Sequence, residues 1–247
     1  MFFGFDLKEI LLFPVKDAEA RKHFLVGMLV SLAAFVIPLI PYFILFGYAI
    51  RIVRQVLKNE SPRMIPWDDW GGMFTDGARM FGVRIIYSLP LLLIFVPLIA
   101  ASIALPFVME NSNGPEASPL FAFLMLIIVG LFFLLMPISI AVAIFVPAAE
   151  MHFVDNDQFA AGFRVREWWT IFRANTGGFI AAFAIYYLIA MVLGFAFQII
   201  AATLIFACLM PILLPAMTIY LTLVMYVTIA QAYRDGKAKL LEKAPSI

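Results

Sequence analysis

Charge is scarce in this sequence. Lys, Arg, Asp and Glu make up 13% of its 247 residues against 64% hydrophobic, with a mean hydropathy of +1.01. A soluble domain is roughly 45–50% apolar and about 25% charged, so the shortfall excludes an ordinary soluble globular protein and excludes disorder. The net charge of +1 gives no bulk attraction to nucleic acid, and no nucleic-acid partner is expected. A single cysteine, Cys208, excludes an intrachain disulfide framework. Its apolar neighbours Phe206, Ala207 and Leu209 read as a core- or lipid-facing setting. The two histidines, His23 and His152, sit in no HxxxH, HExxH or Cys/His pattern, so neither a metal nor a cofactor is expected. Gly71-Gly72 lacks the Lys-Ser/Thr of a phosphate loop, and no nucleophile motif is present, so no catalytic residue is assigned. The first 23 residues read as charged rather than as a secretory leader, with Asp6, Lys8, Glu9, Lys16, Asp17, Glu19, Arg21 and Lys22.

What is abundant is long charge-free apolar sequence. The runs are Phe24–Ile50, Ile85–Met109, Ala117–Ala149, Thr176–Met210 and Pro211–Tyr233. The last two abut, and Pro211 and Pro215 mark the break between them, so the connection near Cys208–Pro211 must be very short. All 17 basic residues fall in four segments, 1–23, 51–84, 149–177 and 234–247. The 110–118 loop carries Glu110 and Glu116 and no base, and the 205–212 turn carries no charge. The positive-inside rule then predicts an all-α integral membrane protein of a prokaryotic cytoplasmic membrane with both termini cytoplasmic. Both flanks of the first apolar segment are basic, which a single crossing cannot satisfy. Pro38 and Pro41 at its centre remove two backbone donors. A re-entrant hairpin over 24–50, with arms of about 13 residues or roughly 20 Å, resolves the conflict; a Pro-kinked fifth span is the alternative. One membrane domain, 1–247, is thus expected: an interfacial segment 1–23, the hairpin, a cytoplasmic Trp-Asp-Asp-Trp segment 51–84, two spans in 85–149, a cytoplasmic amphipathic segment 150–175, two spans in 176–233, and a tail 234–247.

Two polar segments read as interfacial helices. In the first, Trp67, Trp70 and Phe74 form one stripe at i, i+3, i+7, with Asp69, Gly72, Asp76 and Arg79 opposite. Asp68 or Asp69 suits the helix start. In the second, 155–173, Asp157 is the expected N-cap, and Phe159, Phe163, Trp169 and Phe172 approximate one face beside Trp168, while Arg164, Glu167 and Arg173 stay wet. Trp70 to Tyr87 and Trp169 to Tyr186 share one spacing, with Asp76 opposite Asn175, which suggests a parallel repeat.

The motifs Gly47-Tyr48-x-x-Arg51-x-x-Arg54, Pro66-Trp67-Asp68-Asp69-Trp70, Phe74-x-Asp76-Gly77 and Ile86-Tyr87-x-x-Pro90 stand close together. In the second half, Phe163 is followed by Trp169 and then by Asn175-x-Gly177-Gly178. In these the chain resembles the DUF4013 family, an uncharacterised family of prokaryotic polytopic membrane proteins, from about residue 20 to 235. The resemblance implies that architecture and no activity, substrate or cofactor.

Asp69 and Asp76 stand about 10 Å apart along a helix, too far to share an ion, and adjacent Asp68 and Asp69 face different ways. His152 with Glu150, Asp155 and Asp157 forms the other polar grouping. Gln198 is the one strongly polar residue deep in a span and reads as interhelical glue. Little chemistry and much lateral apolar surface suit a non-enzymatic structural or accessory subunit of a membrane complex. Its expected partners are membrane lipids and other membrane subunits or a second copy. A transporter or channel-like protein for a neutral or lipid-like substrate is the alternative, since the prolines permit broken helices.

Overall fold

A computed structural model describes residues 4–111, 119–203 and 208–243. Its helices are α1 (Leu7–Leu12), α2 (Ala18–Ala33), α3 (Ile40–Leu57), α4 (Trp70–Asn111), α5 (Pro119–Asn156), α6 (Val165–Ala174), α7 (Thr176–Ala202) and α8 (Met210–Lys243), with 3-10 turns at Phe13–Val15 and Phe159–Phe163. Among the described residues there is no strand. Five helices, α3, α4, α5, α7 and α8, are long and apolar enough to cross a membrane, so this is a multi-pass membrane protein by length and composition.

The prolines of the first apolar segment divide it into two helices. Residues 34–39 form the break, Leu39 takes φ 71°, and Pro41 sits in the first turn of α3, where no backbone N–H is needed. Both arms outrun the apolar segment. α2 starts at Ala18 because Asp17 caps it, its Oδ1 accepting the Ala20 N–H at 2.7 Å, and α3 runs on through Arg51 and Arg54 to Leu57. Residues 6–20 and 60–64 line one groove, so the chain returns to the end it started from.

The two polar segments depart from expectation. No proline follows Trp70 before Pro90, so residues 70–84 form the opening turns of α4 rather than a separate interfacial helix, and Trp67 lies ahead of the helix. Asp157 does not cap a following helix. It takes φ 52°, the left-handed conformation that Asp tolerates, and closes α5. The 3-10 turn and α6 then follow as separate pieces. Between the last two spans the break falls at 203–209, just ahead of Pro211; residues 204–207 lie outside the described residues, as do 112–118 of the expected 110–118 loop.

The chain forms two compact units, one of residues 1–83 with 147–247 and one of residues 84–146. In the first, α8 is the hub and packs against α1, α2, α3, α6 and α7. Ile219, Leu223, Tyr226, Val227, Ala230 and Tyr233 follow a helical period and are fully buried, and Val224 and Ile229 bury other sides of the same helix. The second unit holds the halves of α4 and α5 beyond Val83 and before Pro147. Phe95 and Phe132 meet at 5.8 Å, and Leu98 and Leu135 are buried, whereas Leu93, Phe133 and Leu134 stand exposed.

Candidate functional site

The polar side chains of the first unit gather at the end where α3 and α5 finish and α4 begins. The close approach of α3 and α4 depends on two glycines. A Cβ on Gly47 would overlap the Met73 carbonyl, and one on Gly77 would overlap the Phe43 carbonyl, so the two backbones touch. Phe43 packs edge-on to Phe74 at 5.6 Å and tilted on Phe81 at 5.1 Å beside this crossing.

That crossing sets α3's arginines against α4's acids. Arg51 Nη2 donates to Asp69 Oδ2, while Asp69 Oδ1 accepts the Gly72 N–H at 2.9 Å, making Asp69 the cap of α4. The Arg51 guanidinium and then the Gly72 N–H hold the Asp69 carboxyl below the usual carboxylate range. Arg54 forks: Nη1 meets Asp76 at 2.9 Å and Nη2 meets Asp157 at 2.7 Å, so one guanidinium joins α3, α4 and the end of α5. Asp68 is exposed and takes no part.

The 58–69 segment is tied down by Tyr48 and Trp67, and by Gln55, which sequence reasoning did not single out. Tyr48 Oη donates to the Ile65 carbonyl at 2.9 Å and accepts the Ile65 N–H at 3.0 Å. Gln55 does the same for Arg63, its Oε1 accepting the Arg63 N–H at 3.0 Å and its Nε2 donating to the carbonyl at 3.3 Å. Trp67 stacks flat on Tyr48 at 3.9 Å and its Nε1 donates to the His23 carbonyl at 2.9 Å. Trp67 is thus engaged with protein, whereas Trp70 and Phe74 are exposed. His23 is buried, with Nε2 unbonded and 3.9 Å from Glu19.

A second set of contacts fastens α5, α6 and α8. Buried His152 pairs through Nδ1 with the Tyr233 hydroxyl (2.7 Å) and through Nε2 with Glu167 Oε2 (3.0 Å). Lys237 Nζ donates to Asp155 at 2.6 Å. Asn175 accepts from Lys239 Nζ at 2.6 Å and donates to the Ala232 carbonyl at 2.9 Å. Glu150, fully buried, accepts the Tyr226 hydroxyl at 3.3 Å. Of the grouping expected of His152, Glu150, Asp155 and Asp157, His152 and Asp155 meet at Tyr233, whereas Glu150 bonds Tyr226 and Asp157 bonds Arg54. Among the described residues no three His, Cys, Asp or Glu side chains come together as a metal site requires. Trp168 is buried against the protein and Trp169 is partly exposed. Gln198 is exposed on α7 and bonds to no other helix among the described residues.

A family model described as a protein of unknown function, DUF4013, matches residues 30–206. The chain belongs to this family. The DUF4013 match takes in α3 to α7 and hence both arginines, Asp69, Asp76 and the two glycines of the α3–α4 crossing, and it stops short of α8. No curated protein and no solved structure matches the chain. Within the matched span, the glycines admit the neighbouring backbone, and the arginines and aspartates lock the helices so admitted.

Proposed function

We propose that this DUF4013 protein is a non-enzymatic structural or accessory subunit of a membrane complex. Arg54 is the observation that carries the reading. Its guanidinium is spent on two acids from different parts of the chain and so joins elements. Arg51 with Asp69 and Lys237 with Asp155 likewise join separate parts of the chain, while the long helices present apolar side chains outward. In this reading the protein sits in a prokaryotic cytoplasmic membrane with the four basic segments and both termini in the cytoplasm. The α2–α3 hairpin dips in from that side. Gentle extraction followed by native mass spectrometry tests it: a stoichiometric partner protein supports the subunit role. A lone chain carrying a reproducible small molecule would shift the assignment to the second reading.

That second reading, a transporter or channel-like protein for a neutral or lipid-like substrate, is favoured by one feature. The apolar helices α4 and α8 carry Pro90, Pro97, Pro106 and Pro215 within them, and such prolines permit the broken helices of transporters.

A further inference from the structure

α6 is a ten-residue helix with two distinct faces. Trp168, Ile171 and Phe172 are buried, in a helix that packs on α8. Arg166, Trp169, Thr170 and Arg173 lie on the opposite side, within about 100° of arc at 100° per residue, and all four are exposed. Neither Arg166 nor Arg173 has an acidic partner among the described residues. Glu167, the one acid of α6, is held by His152 at 3.0 Å and by Arg164 at 3.7 Å. The Thr170 hydroxyl is spent on the Arg166 carbonyl at 2.7 Å. α7, apolar and long enough to cross a membrane, begins at Thr176, immediately after Asn175 closes α6. Arg173 therefore stands within a turn of the point where the chain enters the apolar layer, at the depth of lipid headgroups.

We propose that the outward face of α6, with Arg166 and Arg173 on either side of Trp169, binds anionic phospholipid headgroups. Charge complementarity selects this occupant. Two unpaired guanidiniums about 10 Å apart along the helix offer planar donor forks that match phosphate oxygens, and an indole at that level belongs at the membrane surface. The net charge of the whole chain is +1, so selectivity for anionic lipid has to come from a local patch of this kind. The inference rests on α7 crossing the bilayer, which is part of the reading above, and not on the subunit role.

The test reconstitutes the full chain in vesicles of equimolar phosphatidylcholine and phosphatidylglycerol, then extracts it gently and counts retained lipid by native mass spectrometry. Phosphatidylglycerol should be retained in excess. R166Q/R173Q should lower the retained ratio by about fivefold for each arginine, with R166K/R173K keeping most of it. K8Q/K16Q removes equal charge from the N-terminal segment and should leave the ratio unchanged. Equal retention of the two lipids by the unaltered chain, or an equal loss in K8Q/K16Q, overturns the assignment. Single R166Q and R173Q chains give the same readout if the double variant is not recovered monodisperse. Flotation of the unaltered chain with the vesicles reports insertion separately: failure there removes the crossing by α7, whereas flotation without lipid preference removes only the headgroup site.

Discussion

Around α8, five other helices bury a continuous interior and close it at one end with a forked arginine, capped termini and stacked aromatics. In the 84–146 unit, two long helices meet along a thin line of Phe95, Phe132, Leu98 and Leu135 and turn Leu93, Phe133 and Leu134 outward. Both regions are strongly apolar in sequence. The difference lies in where small and charged residues fall. Gly47 and Gly77 let backbones touch, and Arg51 and Arg54 convert that touch into directional bonds. Gly130, in the second unit, has open space where a side chain would go. Hydrophobicity alone places a chain in a membrane; small residues and polar pairs decide which of its helices hold each other there.

The largest break in this contrast should come from Gly47→Ala. Even one methyl group overlaps the Met73 carbonyl, so the α3–α4 crossing must open, at about 3 kcal/mol or more. The expected outcome is loss of a monodisperse species on size-exclusion chromatography in mild detergent. Gly130→Ala in the other unit should leave the elution profile unchanged. Arg54→Ala should come next, because it strands Asp76, which is only 15% exposed, together with Asp157. A loss of about 2–3 kcal/mol should appear as a lowered thermal midpoint, and Arg54→Lys should recover only part of it because an ammonium lacks the fork. Leu93→Ala, at an exposed apolar position, should shift the same midpoint within about 0.5 kcal/mol.

Arg51 and Asp69 sharpen the contrast by the smallest amount, through pH. The folded Asp69 carboxyl titrates below its unfolded value, so its contribution is complete above roughly pH 4. It fades as pH falls through the lowered folded value. Arg51→Gln should move the Asp69 titration, followed by carboxyl carbon resonances, upward toward the ordinary range. An unchanged midpoint would mean that the Gly72 N–H alone holds the carboxylate.

Much of the scaffold was legible before any coordinates. Apolar run length locates the long helices, Pro38 and Pro41 locate the break between α2 and α3, and Asp68 or Asp69 reads as a cap because acid before a helix is rewarded locally, with Asp69 the one that takes it. The misreadings share one cause. The face assigned to 155–173 assumed a single helix, but Asp157 turns left-handed and the 3-10 turn resets the phase, so Phe159 and Phe163 do not continue the face of α6. Likewise Tyr233 lies 81 residues from His152, and Lys239 lies 64 from Asn175. No local spacing announces such pairs. Tyr48 was visible within the Gly47-Tyr48-x-x-Arg51 motif, but its task, holding Ile65 by both backbone groups, depends on how the 58–69 segment folds back.

Arg54 also imposes an order in time. Its second acid, Asp157, lies 103 residues further along the chain. At roughly 5–20 residues per second, the ribosome needs about 5–20 s to deliver it. For that interval the newborn α3 and α4 can already share Gly47, Gly77 and Asp76, while one arm of the guanidinium stays hydrated and open to a substitute. The arrival of Asp157 is then a completion signal: it closes the first half of the protein only after the 84–146 helices have been made.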